Sequence, residues 1–273
     1  MYTLSTGKKL AVISGLVEGN SIRSISRMTD VDRNTINSLL LRTGENCAAL
    51  LDTRMRQLSC RRLQCDEIWT YVGKKDRHVK DSDPAEFGDQ WVYVALDADT
   101  KLVPSYFVGK RNSENTQAFM LELYRRLSAH KIQLTTDAYI FYTKAVEQSF
   151  AGDADYAQLK KLYGDYGQHG NERYSPSPIL EVISRTISGV PDPAHVSTSF
   201  VERQNLTIRM QMRRFTRLTN AFSKRLENLK AACALHFAHY NFCRIHSSLR
   251  VTPAMAAGIC DTVWQLDQLL PAS

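Results

Sequence analysis

Three acidic residues have the type and the placement for metal-dependent chemistry on phosphates. Asp66 lies in the apolar run LQCDEIWTYVG, Asp137 follows the run IQLTT, and Glu202 opens the basic segment SFVERQNLTIRMQMRR. A carboxylate inside an apolar strand carries a desolvation penalty that a bound cation relieves. Oxygen ligands from separate elements suit Mg²⁺ or Mn²⁺, and phosphodiester chemistry typically uses two such ions. We therefore predict Asp66, Asp137 and Glu202 as catalytic residues that hold two Mg²⁺ or Mn²⁺ ions.

Each of these acids also has a structural explanation. Asp137 could begin a helix, and Glu202 could be a first-turn acid that the helix dipole favours. Asp66 is hardest to explain in this way, because an acid in the middle of an apolar strand needs a partner. Its neighbour Glu67 points to the opposite face of the strand, and we interpret it as a surface or supporting group.

Basic residues follow Glu202 closely. Between residues 203 and 250 there are ten Lys or Arg and a single acid, Glu227, which is typical of a phosphate-facing surface. Glu202, Asn205, Arg209 and Arg213 advance by three, four and four residues, so we expect them to share one helix face. From this segment the predicted DNA-binding residues are Arg203, Asn205, Arg209, Arg213, Arg214, Arg217 and Lys224.

The whole composition agrees with a polyanionic partner but does not require one. The formal charge is +7, and the hydrophobic and aromatic fractions are ordinary for a globular protein. We find no signal-peptide pattern and no apolar run of membrane-spanning length, so we expect a cytoplasmic, nucleoid-associated prokaryotic protein with no membrane partner. The six cysteines lack close-paired spacing and are interpreted as reduced thiols.

Cys233, His236, His239 and Cys243 recur at helical spacing and raise the question of a zinc site. One straight helix offers only two neighbouring side chains to a tetrahedral ion, so four in a row cannot close such a site. We interpret them as the buried face of an amphipathic helix. For Asn241, Arg244 and His246, a phosphate-binding role and a structural polar network remain equally open.

The first 50 residues have helical periodicity. A helix over KKLAVISGLVEG is followed by a short one, SIRSISRM, capped by Ser21, and by a third that Asp32 caps and that ends at Gly44. Two helices joined by a tight turn are typical of a helix-turn-helix, which would direct Arg33, Asn34 and Asn37 at a DNA groove. A plain helical bundle is the alternative.

After residue 60 the pattern changes to strands that alternate with helices. Strands are predicted over LQCDEIWTYVG, WVYVALDADTKLVPSYFVG (two), IQLTT and ADYAQLKKLYG, while the segment from about 164 to 197 is predicted to be largely loop. The chain is predicted to be helical for most of its length from Ser199 onward. This order predicts an α/β fold with a mixed sheet flanked by helices.

The segments CDEIWTYVGKK, TTDAY and especially SFVERQNLTIRMQMRRFTRLTNAFSK resemble the DDE transposases of the insertion sequence 1 family. HYNFCRIHSSLRVTPAMAAG resembles the tail of the catalytic core in that family. The resemblance covers roughly residues 60–260 and implies a ribonuclease H-like core with Asp66, Asp137 and Glu202 as its metal-binding triad. One departure is that the N-terminus carries no cysteine zinc motif.

These observations predict two regions, a helix-turn-helix DNA-binding region (about 1–55) and a catalytic domain (about 60–262) with a loop-rich insertion at about 164–197. The predicted function is a transposase that binds transposon terminal repeats and target DNA as a dimer or larger homo-oligomer. The alternatives are a stand-alone ribonuclease H-like nuclease and a catalytically silent helix-turn-helix regulator. A tyrosine recombinase is weaker, because no Arg/His setting accompanies the tyrosines.

Overall fold

The apolar patterns of the chain form one mixed sheet and the helices around it. The structure is a computed structural model that describes residues 4–164, 178–216 and 219–271. Its strands are β1 (Arg62–Val72), β2 (Gly88–Asp97), β3 (Ser105–Gly109), β4 (Ile132–Asp137), β5 (Ala154–Tyr163) and β6 (Ile179–Ser188). Its α-helices are α1 (Thr6–Val17), α2 (Ile22–Thr29), α3 (Arg33–Arg54), α4 (Ser113–Arg126), α5 (Ile140–Phe150), α6 (Ser199–Gln211), α7 (Leu226–Ala238) and α8 (Pro253–Ala256).

The strands form one sheet in the order β3-β2-β1-β4-β5-β6. β1 pairs antiparallel with β2 and parallel with β4, β4 pairs parallel with β5, and β6 adds an antiparallel edge strand. β1 therefore lies inside the sheet, with one edge paired to β2 over Leu63–Val72 and the other to β4 over Arg62–Cys65. This mixed sheet with flanking helices confirms the predicted α/β fold class.

Polar side chains start the three N-terminal helices. Ser5, Ser21 and Asp32 each accept a hydrogen bond from a backbone N–H of the first turn, which satisfies a donor that has no partner within the helix. The predicted caps at Ser21 and Asp32 are thus confirmed. The predicted end of the third helix at Gly44 is wrong, because α3 continues to Arg54.

The continuation of α3 has a cause that is remote in sequence. An interior glycine costs a helix only about 1 kcal/mol relative to alanine, and close packing offsets that cost. A Cβ atom on Gly44 would lie 2.5 Å from the Cα of Ala231, so α3 and α7 approach backbone to backbone at this point. The missing side chain is what permits this contact between the helices.

The N-terminal helices do not have a hydrophobic core of their own. Ile36, Cys47 and Leu51 of α3 belong to the same buried cluster as Cys65 of β1 and Leu235 of α7. The amide of Asn46 also donates a hydrogen bond to the backbone carbonyl of Leu269. The division at about residue 55 therefore remains a proposal about function, since packing does not separate the two regions.

The predicted loop at 164–197 is wrong in part, because β6 occupies Ile179–Ser188 and pairs with β5. The segment ILEVISRTIS is rich in β-branched residues, which favour strands, but the glycines, prolines and serines around it dominate the composition of the window. As an edge strand, β6 leaves Val182 and Ile183 exposed. Residues 165–177 lie outside the described part of the chain.

α7 and the π-helix that follows it (His239–Cys243) form a buried layer. Cys233, His236 and His239 are all buried and Cys243 is half-buried, but every residue from 233 to 242 is buried, so this stretch is buried on all sides and the predicted amphipathic helix is wrong. Asn241 accepts a hydrogen bond from the backbone N–H of Val103 and donates one to its carbonyl, as the structural reading of this residue predicts. All six cysteines are free thiols.

Within the described ranges, no helix combines the length and the apolar character that a membrane crossing requires.

Gly44→Ala should lower the free energy of unfolding by about 1–3 kcal/mol, the usual cost of forcing an extra group into a packed contact. Gly7→Ala is the matched control, because it is also helical and a Cβ there meets nothing within 4 Å. We expect this control to be neutral or slightly stabilising. Urea denaturation of both variants measures the difference, and equal stabilities would contradict the close α3–α7 approach.

Candidate metal centre and nucleic-acid surface

The register of two parallel strands brings the predicted aspartates together. Cys65 of β1 lies beside Thr136 of β4, so the next residues, Asp66 and Asp137, are neighbours on adjacent strands. One oxygen from each, together with one from Glu67, lies within 4.8 Å of the others, a spacing that suits a shared metal ion. Asp137 is also the last residue of β4, at the strand end where α/β sheets gather ligand groups.

Asp66 is held by hydrogen bonds on both carboxylate oxygens. Oδ1 accepts from the backbone N–H of Glu67 at 2.8 Å, and Oδ2 accepts from Nδ2 of Asn205 at 2.8 Å. Burial, and then the negative charge of Asp137, raise the pKa of Asp66 to about 7. Burial also raises the pKa of Asp137. The pair therefore carries more negative charge than its surroundings stabilise, which is the electrostatic setting of a cation site.

Glu67 is not a surface residue. It is 8% exposed, and its Oε2 lies 3.3 Å from the guanidinium of Arg111. Burial and the charge of Asp137 raise the pKa of Glu67 to about 8, while Arg111 opposes this shift. Strand alternation separates Glu67 from Asp66, but Asp137 ends its strand beside both. Sequence alternation alone gave no signal of this contact.

Arg111 is the cation that the sequence patterns missed. Its guanidinium lies 3.7 Å from the ring centroid of Tyr139 and 4.8 Å from that of Trp91. It also lies 3.7 Å from Oδ2 of Asp137. The stacked guanidinium thus places a positive charge between two carboxylates, Glu67 and Asp137. Nothing in the local sequence GKRNSEN marks this role, which arises only when the fold brings Arg111, just after β3, beside Glu67 of β1 and Asp137 of β4.

The third predicted acid, Glu202, lies in the first turn of α6. Gln64 of β1 fixes the start of that helix, because its side-chain oxygen accepts from the backbone N–H groups of Phe200 and Val201 at 2.9 and 3.1 Å. Glu202 Oε1 accepts from the ammonium of Lys161 and, at 2.7 Å, from the hydroxyl of Thr198. Lys161 is a second cation that the sequence patterns did not indicate.

Glu202 lies near Asp66 and Asp137, but its carboxylate is outside the group of ligand atoms that these aspartates form. Its charge contributes to the raised pKa values of both Asp66 and Asp137. Its carboxylate is not part of the cluster of ligand atoms within 4.8 Å of one another, since it pairs with Lys161. The structure thus places the three acids near the C-terminal end of β4, with Asp66 and Asp137 close enough to share a metal ion and Glu202 farther away on α6.

The potential metal ligands at this site are carboxylate oxygens, which suit a hard divalent cation. Two oxygens beside them, Oε1 of Glu67 and Oδ1 of Asn205, are buried without a hydrogen-bond partner among the described residues. Buried polar atoms normally have partners, so such atoms indicate room for a ligand or water. Asp66, Asp137 and Glu202 remain the predicted ligands, and Glu67 is the additional acid at the same place.

The predicted DNA-binding residues of the basic segment are divided by the end of α6. Arg203 is exposed on the helix and Arg209 half-buried, while the amide of Asn205 contacts Asp66. The expectation that Arg213 shares this helix face is wrong. α6 ends at Gln211, the backbone at Met212 is extended, and Arg213 begins a short 3₁₀ turn.

Two buried side chains follow the end of the helix. Met212 and Phe215 both lie in the core beyond Gln211. Arg214, in the same turn, donates a hydrogen bond to the hydroxyl of Ser223. Arg217 lies outside the described residues.

The predicted helix-turn-helix residues and this 3₁₀ turn line the same cleft. Arg33, Asn34 and Asn37 line a cleft of about 800 Å³ whose opposite wall includes Arg213, Arg214 and Lys224. Two sets of predicted DNA-binding residues, from separate parts of the sequence, therefore face one space. Arg33 and Asn34 are solvent-exposed at this cleft.

No family model matches the sequence, and no curated protein matches it. Among solved structures, the Mos1 strand transfer complex aligns with 57% of this chain at 16% identity and a TM-score of 0.25. This chain covers 59% of the length of that Mos1 chain. The piggyBac transposase synaptic complex with hairpin DNA aligns with 98% of this chain and 71% of its own, at 9% identity and a TM-score of 0.43.

The crowded carboxylates predict how the metal-free protein responds to pH. The folded-state pKa of Asp66 is about 7, above its ordinary value of 3.8, so the folded protein binds a proton more tightly than the unfolded chain does. The free energy of unfolding should therefore fall as the pH rises from the ordinary pKa of 3.8 to the folded-state pKa of about 7. Asp66→Asn should be more stable than the wild type at about pH 8 in EDTA, by on the order of 1–3 kcal/mol.

Thermal denaturation at about pH 5 and about pH 8 measures this difference, which should shrink at the lower pH. Millimolar Mg²⁺ or Mn²⁺ should raise the melting temperature of the wild type and leave that of Asp66→Asn unchanged, because only the wild type keeps the full set of ligands. A wild type that is equally stable with and without these ions would contradict the proposed metal centre.

Proposed function

We propose that this protein is a DNA transposase that cuts and joins strands with divalent metal ions. The observation that carries the proposal is the register-enforced contact of Asp66 and Asp137, with Glu202 facing them from α6. Acids from two strands and one helix surround a point that basic residues flank. Such an arrangement suits a substrate that carries phosphate.

Asp66, Asp137 and Glu202 would hold Mg²⁺ or Mn²⁺, in a two-ion site. When bound, such ions activate the attacking oxygen and stabilise the leaving oxygen in phosphodiester chemistry. Asn205 keeps the carboxylate of Asp66 in a fixed orientation. Lys161 and Arg111, which now pair with the acids, supply positive charge at the place where a phosphate would enter.

The proposed reaction has two steps at one site. Water first hydrolyses the phosphodiester bond at the transposon end and leaves a 3′ hydroxyl. That hydroxyl then attacks target DNA by transesterification, so that one phosphodiester bond forms as another breaks and no covalent protein intermediate is needed. The assignment to transposition, and to the insertion sequence 1 family in particular, is supported by the segments CDEIWTYVGKK, TTDAY and SFVERQNLTIRM.

The proposed partners are the terminal inverted repeats of a transposon and target DNA. The basic residues of 203–224 and the helix-turn-helix residues Arg33, Asn34 and Asn37 are the proposed contacts. Because two transposon ends must be handled together, we propose a dimer or larger homo-oligomer.

Asp66→Asn, Asp137→Asn and Glu202→Gln should each lower cleavage and strand transfer of a labelled transposon-end duplex by more than about a hundredfold. Even the outer partners of metal ligands contribute 10–100-fold to activity, so the ligands themselves should contribute more. Gel analysis of the products in Mg²⁺ measures both steps. Duplex binding by these variants should persist, because each substitution removes negative charge.

Asp155→Asn is the matched control. Asp155 lies on the same sheet, near the start of β5, where it pairs with Lys131 at 2.7 Å, and we expect this variant to keep full activity. A fully active Asp66→Asn would overturn the catalytic assignment. Cleavage without strand transfer would instead identify a hydrolytic nuclease that uses the same acids.

A further inference from the structure

The cleft between the N-terminal helices and the segment 211–228 has a chemistry of its own. Its lining includes five cationic side chains, Arg23, Arg33, Arg213, Arg214 and Lys224. Six amide side chains accompany them, and no acid is among the lining residues that the structure describes. Cations suit a phosphate backbone, and amides suit the donor and acceptor edges of bases.

A buried polar atom with no partner lines the same cleft. His236 is 3% exposed, and its Nε2 makes no hydrogen bond to any described residue. Burial lowers the pKa of His236 to about 3, so the ring is neutral at physiological pH and offers a hydrogen bond without a charge. Oδ1 of Asn228, which also lines the cleft, is buried and unpartnered in the same way. Both atoms indicate a ligand with polar groups of its own.

A row of aromatic rings leaves the cleft at Phe222. The ring of Phe222 stacks on that of Tyr71 with centroids 4.7 Å apart, and Tyr71 contacts Trp69 at 5.7 Å. All three rings are half-buried, unlike the fully buried Tyr93 of the core. The ammonium of Lys75 lies over both Trp69 and Tyr71, so ring faces and positive charge occur together at the surface.

This aromatic row leads to the acidic cluster. Tyr71, Trp69 and Glu67 are alternate residues of β1, so they share one face and follow each other at about 6.6 Å. Trp69 lies directly opposite Trp91, whose ring carries the guanidinium of Arg111. Arg111 in turn contacts Glu67 and Asp137. The rings therefore connect the basic cleft with the carboxylates.

We propose that the cleft and the aromatic row Phe222–Tyr71–Trp69 form a path for a single strand of DNA that ends at the acidic cluster. Proteins that bind single strands combine a basic groove for the backbone with aromatic rings on which bases stack, and both features are present here. A cleft of about 800 Å³ has the size of a small-ligand pocket, which accommodates a few nucleotides of one strand.

Arg33, Asn34 and Asn37 line the cleft, so they would contact a strand that occupies it. The inference rests on the proposed function, since it places the strand that the acids would cut.

Fluorescence anisotropy with labelled oligothymidylate tests the path in EDTA, where no cleavage occurs. The full-length protein should bind the oligonucleotide more tightly than a duplex of equal length. Tyr71→Leu and Phe222→Leu should each weaken this binding at least about fivefold, the lower end of what one base–ring stack contributes. Tyr163→Leu, which removes an exposed ring at the end of β5, is the matched control and should bind as the wild type does.

The salt dependence of binding tests the cationic side chains of the cleft, and it does not depend on core packing. Arg33→Ala and Lys224→Ala remove exposed side chains, and each should flatten the slope of log K against log[salt] by about 0.7, the value for one phosphate contact on a single strand. Lys144→Ala, on the exposed side of α5, should leave the slope unchanged. Stacking should also quench tryptophan fluorescence in the wild type, and Trp69→Phe should remove most of that quenching while binding persists.

Tighter binding to the duplex, or the same affinity loss in Tyr163→Leu as in Tyr71→Leu, would overturn the path. Cleavage of transposon ends is measured on the same proteins, so the two proposals fail separately. If cleavage depends on Asp66 but oligothymidylate does not bind, the path is wrong and the transposase stands. If oligothymidylate binds and quenches Trp69 but no strand is cut, the path stands and the transposase is wrong.

Discussion

The mutual repulsion of two buried carboxylates is the constraint around which this site is built. Parallel pairing of β1 with β4 sets Asp66 beside Asp137, and burial makes the ionised form of each costly. A fold tolerates such a pair only where nearby donors and cations offset its charge. Asn205 donates to one carboxylate and Arg111 lies beside the other, so several elements depend on the presence of these two acids. Groups that lower stability in this way are typical of functional sites, where strain is retained for chemistry.

The position of α6 follows from the same strand. Gln64 precedes Asp66 by two residues, so it lies on the same face of β1, and its side chain accepts from the first backbone N–H groups of α6. One stretch of β1 therefore carries an acid and also anchors the helix that carries Asn205 and Glu202. Because β1 both carries Asp66 and anchors α6, acids that are far apart in sequence lie close together in the fold. This dual role of β1 also implies that shifting β1 by one residue would lose the pairing of the aspartates and the helix anchor together.

The α/β fold class could be predicted from the sequence because it rests on local patterns, and the same patterns single out the three acids as proposed ligands. Apolar runs gave β1, β4 and β5, and polar caps gave the starts of α2 and α3. The errors occurred where distant contacts override local preference. α3 passes Gly44 because α7 packs against it, and α6 stops at Gln211 although Met212 and Phe215 beyond it are buried at helical spacing. Arg111, Lys161 and the burial of Glu67 gave no local signal, since each acquires its role from a strand or helix that is remote in sequence.

The shared packing of the N-terminal helices and the sheet changes how recognition and cutting would be related. With separate domains on a linker, binding an end would only raise the local concentration of DNA near the acids. Here α3 is fixed on α7, and the residues predicted to read DNA face Arg213, Arg214 and Lys224 across one cleft. A strand in that cleft would touch both walls at once, and the rings from Phe222 to Trp69 would set its direction toward Asp66 and Asp137. Recognition and positioning of the scissile phosphate would then be one binding event, so loss of contacts in the cleft would misplace the phosphate as well as weaken its binding.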